Sequence, residues 1–385
     1  MVKKIYILGN HIQALGIAQI AGRLGLEIIL FTDNRLSLAR FSRYCKKTIV
    51  FSDKNELLKK LIHSHSGTKE VILMPTNDGM VEFLMDNYQT LNNIFFISLP
   101  QVDITEICFN KILTYKKLRE LNIPFPDSRY PQNVTEAKAA AQELGYPIII
   151  KPAIMFKFVD NIGEKVLVCR NDEELTRNYE LAVKHIHASN VIVQKIIAGG
   201  AKNLYSFGSF SVSGKVISGF VVNRCRQRPM NFGFSTTFAR SIACEEVERL
   251  SIEFLQGINY FGLSEIEFMY DEEDKKYKLL EINPRTWKWH SIANKLDINL
   301  IKMLIDYFEK KELCAKFNRN LEVAWIDPFT DFFMAIEYLL KGQLSIKGYF
   351  GSLMMKKEIA IFSPDDILPA IIYIVLLPYL IYSKQ

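Results

Sequence analysis

The chain is short of the features that assign a class at a glance, and each absence excludes something. Its six cysteines, at 45, 108, 169, 225, 244 and 314, form no C-x-x-C pair and no metal-ligand spacing. They read as reduced thiols of a cytosolic protein, not as a disulfide framework or a zinc site. There is no concentrated charge of one sign: 48 Lys and Arg against 42 Asp and Glu leave a net +6 dispersed over 385 residues, too mild for a nucleic-acid surface. Histidine is scarce, and the pairs His63/His65 and His185/His187 fall near helix ends as surface residues. Internal repeats and low-complexity segments are absent. No secretory leader is expected, because Lys3 and Lys4 precede only the short apolar run 5–8 before Gly9-Asn10-His11. A strongly apolar run without charge lies at 367–383, interrupted by Pro369 and Pro378. That is at the lower limit of about 17 residues for a spanning helix. A buried C-terminal helix is the first expectation, with peripheral membrane contact through 367–383 as the alternative.

One stretch carries chemistry. Two β-patterned runs, 263–270 and 277–282, flank an acidic, lysine-rich turn at 271–276 and read as a hairpin. Side chains alternate across a strand, so Glu265 and Glu267 share a face, as do Glu281 and Asn283. Closure in register would bring Glu267, Glu281 and Asn283 together, with Arg285 just beyond. Two carboxylates and an amide oxygen are hard donors that suit Mg²⁺, with Mn²⁺ as a substitute, and a guanidinium beside them suits a triphosphate. The charges at 271–274 read as solvated, but Glu281 lies in an apolar strand, where a carboxylate is costly without a partner.

The first hundred residues alternate strand patterns (4–8, 27–31, 47–51, 70–74, 94–99) with helical ones (12–24, 54–64, 80–88), which predicts a parallel α/β layer. The glycines of the 9–16 turn lack the G-x-G-x-x-G spacing. Ligands of open α/β sheets sit at the strand carboxyl ends, so Gly9, Asp33 and Pro75-Thr76-Asn77-Asp78 are candidates for binding a small substrate. Helices are expected at 110–122 and 135–144, the second with Thr135 as N-cap and Gly145 as stop. Strands follow near 146–151, 163–170 and 191–197, and again at 204–212, 215–222 and 236–243. A helix at 245–258 leads into the hairpin. The expected division is 1–105, 106–190, 191–310 and 311–385, the last a packed appendage with the apolar tail.

Three lysines have unusual contexts: Lys111 opens a helix, Lys151 ends an apolar strand before Pro152, and Lys165 follows Gly163 at the start of a facing strand. With the hairpin they give the order Lys…Lys-Pro…Gly-x-Lys…Glu…Glu-x-Asn-Pro-Arg, which resembles the ATP-grasp superfamily of ATP-dependent ligases over roughly 109–305. The resemblance implies a Rossmann-like, parallel α/β pre-ATP-grasp domain followed by a two-lobed α+β ATP-grasp domain. It implies that Lys111, Lys151 and Lys165 contact ATP phosphates, that Gln194, Lys195, Ile196 and Ile197 form the interlobe strand at the adenine edge, that Glu267, Glu281 and Asn283 hold Mg²⁺, and that Arg285 steadies the transferred phosphoryl group. Two departures stand out: the segment 153–164 is not glycine- and serine-rich, and Gln194 stands where an acidic residue is common. The run Asn223–Gly233 in 223–233 is similar to an Arg-x-x-Pro…Phe-Gly pattern of the D-aspartate-ligase-like branch, which implies that Arg224 and Arg226 bind an acyl phosphate or substrate carboxylate. The implied activity is an ADP-forming carboxylate–amine ligase acting through an acyl phosphate on small-molecule carboxylate and amine substrates. A carboxylase or carbamoyl-type synthase and a catalytically inactive nucleotide-binding protein are the alternatives. The acid, the amine and the oligomeric state are not legible.

Overall fold

Five apolar runs build the first sheet: β1 (Lys4–Leu8), β2 (Glu27–Thr32), β3 (Cys45–Val50), β4 (Val71–Pro75) and β5 (Phe96–Ile97). All pairs are parallel, in the order β3-β2-β1-β4-β5. The computed structural model describes residues 1–65, 67–233 and 235–382, and the side chains of these except 156, 157 and 378–382. β4 is buried along its whole length and β1 nearly so, as a parallel sheet covered on both faces requires. The helix His11–Arg23 packs on one face and joins it to a core that includes Phe210, Trp287 and Trp325. The strand order reverses between β1 and β4, where a crevice opens at the carboxyl ends. There Gly9 (φ +109°) approaches Thr76 so closely that a Cβ would collide with its hydroxyl.

The second sheet, β6 (Ser128–Arg129), β7 (Ile148–Pro152), β8 (Leu167–Cys169) and β9 (Val191–Lys195), is antiparallel in the order β6-β9-β7-β8. The helices Val134–Leu144 and Asp172–Val183 cover it. The first of these is capped by Asn133, whose side chain accepts from the Glu136 N–H at 2.9 Å, two residues earlier than the expected Thr135. The segment 153–164, expected as a loop, holds a helix, Met155–Ile162, ended by Gly163 at φ +82°. Its apolar residues explain this: Phe158 is fully buried in the core between the second sheet and its helices, the smaller lobe, the third sheet building the larger one.

The third sheet comprises β10 (Leu204–Val212), β11 (Lys215–Arg228), β12 (Ser235–Ser241), β13 (Gly262–Asp271), β14 (Lys276–Asn283), β15 (Ala324–Ile326) and β16 (Lys357–Ile359). Its order is β14-β13-β10-β11-β12-β15-β16, antiparallel except for the last pair. Residues 311–385, expected as an appendage, thus continue this sheet. The tail also ties back to the N-terminal layer: Asp366 accepts from Gln19 (3.0 Å), Ser42 (2.6 Å) and the Arg43 N–H (2.9 Å), and Asp365 pairs with Arg23 at 2.7 Å. The uncharged run forms the helix Leu368–Tyr382, with Tyr373 buried. Among the described residues no helix is long and apolar enough to cross a membrane.

Candidate active site

The hairpin closes in the register that joins its acids. Glu265 lies opposite Asn283 and Glu267 opposite Glu281, and a bulge after Glu267 absorbs one extra residue of β14. All four side chains therefore share one face of the sheet. The Asn283 amide donates to Glu265 at 3.2 Å and to Glu267 at 3.3 Å, while its oxygen accepts from Arg285 at 3.1 Å.

Cations from three parts of the chain balance these acids. Asn110 caps the helix Lys111–Glu120 through the Ile112 N–H, which places Lys111 at the first turn with its ammonium 2.8 Å from Glu281. Arg224, buried on β11, pairs with Glu267. Arg285 donates to Asp78 at 2.7 Å, joining the hairpin to the β4 crevice. Burial opposes the ionisation of Glu281, but Lys111 and Lys165 outweigh it and hold its carboxyl well below the usual range. Glu265 goes the other way: burial and then the charge of Glu267 push it up to about 8, against Arg224 and Arg285. Two carboxyls on one face of the sheet are thus driven apart in acidity, the arrangement expected where charges are packed for binding.

These groups line a cavity of about 290 Å³, together with Lys165, Lys288, Gln13 and Asp78 and with Met155, Val159 and Asp160 of the helix Met155–Ile162. Lys165 donates to the Gly233 carbonyl at 3.1 Å. Lys288 is held by Ser235 and Asp327, both at 2.8 Å.

Of the residues singled out in the sequence, Lys111, Lys165, Arg224, Glu267, Glu281, Asn283 and Arg285 meet in this cavity. Lys151 lies behind it, buried, donating to the Tyr115 hydroxyl at 2.7 Å. Burial and then the charge of Lys111 push its ammonium down to about 7, with Glu281 opposing and Lys165 adding to the repulsion. Gln194, Lys195, Ile196 and Ile197 are not among the lining residues. Gln194 binds Ser128 (2.8 Å) and Tyr115 (3.4 Å), and Lys195 pairs with Glu273 at the surface (2.9 Å).

Arg226 is not among the lining residues either. It makes a two-pronged pair with Asp331 of the helix Pro328–Leu340, at 2.8 and 2.7 Å, and stacks 4.1 Å over Phe238. The cause is a register shift between Asn223 and Arg226 on β11, which breaks the alternation that would have put Arg224 and Arg226 side by side. Gly9 and Asp33 do not line the cavity, whereas Asp78 does. Glu265, Lys288 and Tyr115 were not chosen from sequence. The signal for Tyr115 was present, since it stands one helical turn from Lys111.

The donor set suits a hard divalent cation in kind, with carboxylates and an amide and no thiol. Among the described residues no three His, Cys, Asp or Glu side chains converge as ligands, so Asn283 would have to serve as a donor. Turning its amide over would exchange nitrogen for oxygen on the side of Glu267.

Residues 108–287 match the family model described as the ATP-grasp domain. The chain is 26% identical over 175 residues to the C-terminal section of the carbamoyl phosphate synthase large chain of Methanopyrus kandleri, a match that takes in 44% of this chain. It spans about a third of that relative's length (31%). Among solved structures, it is similar to the biotin carboxylase domain of Hydrogenobacter thermophilus 2-oxoglutarate carboxylase, solved with MgADP and bicarbonate. The identity is 18%, the coverage 81% of this chain and 71% of that one, and the TM-score 0.65. It is also similar to an L-amino acid ligase from Bacillus licheniformis, at 15% identity, 79% and 73% coverage and a TM-score of 0.58. At these identities the structural likeness is one of fold.

Proposed function

We propose, from the match of residues 108–287 to the ATP-grasp domain model, that the chain is an ATP-dependent, ADP-forming carboxylate–amine ligase acting through an acyl phosphate. The observation that carries this reading is the single cavity in which Glu267, Glu281 and Asn283 meet Lys111, Lys165, Arg224 and Arg285. A carboxylate is a poor electrophile, and transferring the γ-phosphoryl group of ATP to it makes it one. Such a transfer needs in-line positioning and neutralisation of charge more than covalent help. Mg²⁺, held by Glu267, Glu281 and Asn283, would neutralise phosphate oxygens when bound. Lys111, from a helix packed on the third sheet, and Lys165, beside the second sheet, bind the triphosphate, with Lys151 behind them. Arg285, oriented by Asp78, steadies the phosphoryl group in transfer. Arg224 binds the carboxylate being activated. The helix Met155–Ile162 forms one wall of the cavity and would keep water from the acyl phosphate. An amine then attacks the activated carbonyl and phosphate departs.

Glu281→Gln keeps the shape of the side chain and removes its charge. ADP formation by this variant, followed with pairs of amino and hydroxy acids, should fall by about 100-fold or more; turnover at the wild-type rate would sink the assignment. The likeness to a carbamoyl phosphate synthase section favours a second reading, a carboxylase or carbamoyl-type synthase. Dependence of ADP formation on bicarbonate, without need of an amino acid, distinguishes it.

A further inference from the structure

Exposed large apolar side chains are concentrated at one end of this chain. From residue 332 onward all but Phe362 and Ile367 fall on three helices, and on each they recur at helical spacing. The helix Pro328–Leu340 buries Asp331, Met334, Ala335 and Tyr338 on one stripe and exposes Phe332, Ile336 and Leu340 on another, Leu340 at 84%. The helix Ile346–Met354 has no buried residue; Tyr349 and Ser352 turn inward to Arg226, while Ile346, Phe350 and Met354 (86% exposed) face out. The helix Leu368–Tyr382 exposes Leu368, Ile371 and Val375. The three helices are neighbours: the rings of Phe329 and Tyr373 lie 5.4 Å apart, and Arg226 reaches both Asp331 and Ser352.

We propose that these three helices form a docking surface for an anionic lipid bilayer, which they meet side-on. The charge pattern selects this occupant over a second copy of the chain. Over 332–356 the exposed lysines Lys341, Lys347 and Lys356 stand against one acid, Glu337, which is already paired with Lys341 at 2.5 Å. Lysine is depleted from protein–protein interfaces. Lysine beside Phe, Leu and Ile is the pattern of helices that lie in the lipid headgroup region, where the apolar stripe enters the acyl boundary and the ammonium groups meet anionic lipid. The contact needs no spanning helix. Because the surface lies outside the cavity, it stands or falls separately from the ligase reading.

The test is co-sedimentation of the full chain with vesicles of phosphatidylcholine alone and of equimolar phosphatidylcholine and phosphatidylglycerol. The chain should pellet with the mixed vesicles and less so as salt is raised. Two surface variants, Phe350→Ser with Met354→Ser and Lys347→Glu with Lys356→Glu, should each weaken binding by about tenfold while melting as the wild type does. A chain that stays in the supernatant with both vesicles overturns the proposal. So does lipid binding that neither variant weakens, or a dimer that the Phe350/Met354 variant converts to monomer in the absence of vesicle binding.

Discussion

Lys151 is a cation kept from water with other cations close by. Its ammonium is pushed down to about 7 from the ordinary 10.5, first by burial and then by Lys111. Between those values the unfolded chain binds a proton that the folded chain does not, so stability rises with pH through that window and falls as pH drops from 10.5 to about 7. Below about 7 both states are protonated and the contribution is level. Lys151→Met removes the titrating group. Urea unfolding at the two ends of the window should show a pH slope in the wild type that is flattened in the variant, and an unchanged slope would remove Lys151 from the account. An anionic ligand brought near this group restores its charge, which suits a lysine placed behind a triphosphate site.

At the scale of elements, the decisive departure from regularity is on β11. Arg226 and Asp331 are both buried, and removing one partner leaves the other as an unpaired charge. Asp331→Ala should therefore cost about 3–5 kcal/mol of stability, measured by denaturant unfolding, far more than the loss of an exposed pair. Alternation along a strand made Glu267, Glu281 and Asn283 legible in the sequence, because period-two geometry and a short turn leave one register for the hairpin. At Arg224 and Arg226 the expectation came from a resemblance in motif, which is blind to a one-residue register shift that reverses a face and leaves no mark in composition. The helix Met155–Ile162 was hidden for another reason. Its short apolar run between Pro152 and Gly163 reads as a loop until Phe158 is seen to anchor it in the small-lobe core. Long-range partners such as Asp331 for Arg226, 105 residues away, have no local signal at all.

For the whole molecule, the fit between the N-terminal layer and the large lobe is tight at Gly16. A Cβ there would meet the buried His290 ring at 2.7 Å, and His290 is fixed by its hydrogen bond with the Trp287 carbonyl at 2.7 Å. Gly16→Ala should destabilise the chain by roughly 1–3 kcal/mol through overpacking, read as a lowered melting temperature. Preservation of the wild-type melt would mean that the two layers can slide apart at little cost. The layers meet a second time at Asp78 and Arg285, partners 207 residues apart. Asp78 takes only the Nε–H of the guanidinium, which leaves N–H groups of both terminal nitrogens for an anion. The N-terminal layer therefore fixes the angle at which an arginine of the metal-binding hairpin meets a phosphate, and anything that parts the two layers turns that arginine away from its ligand.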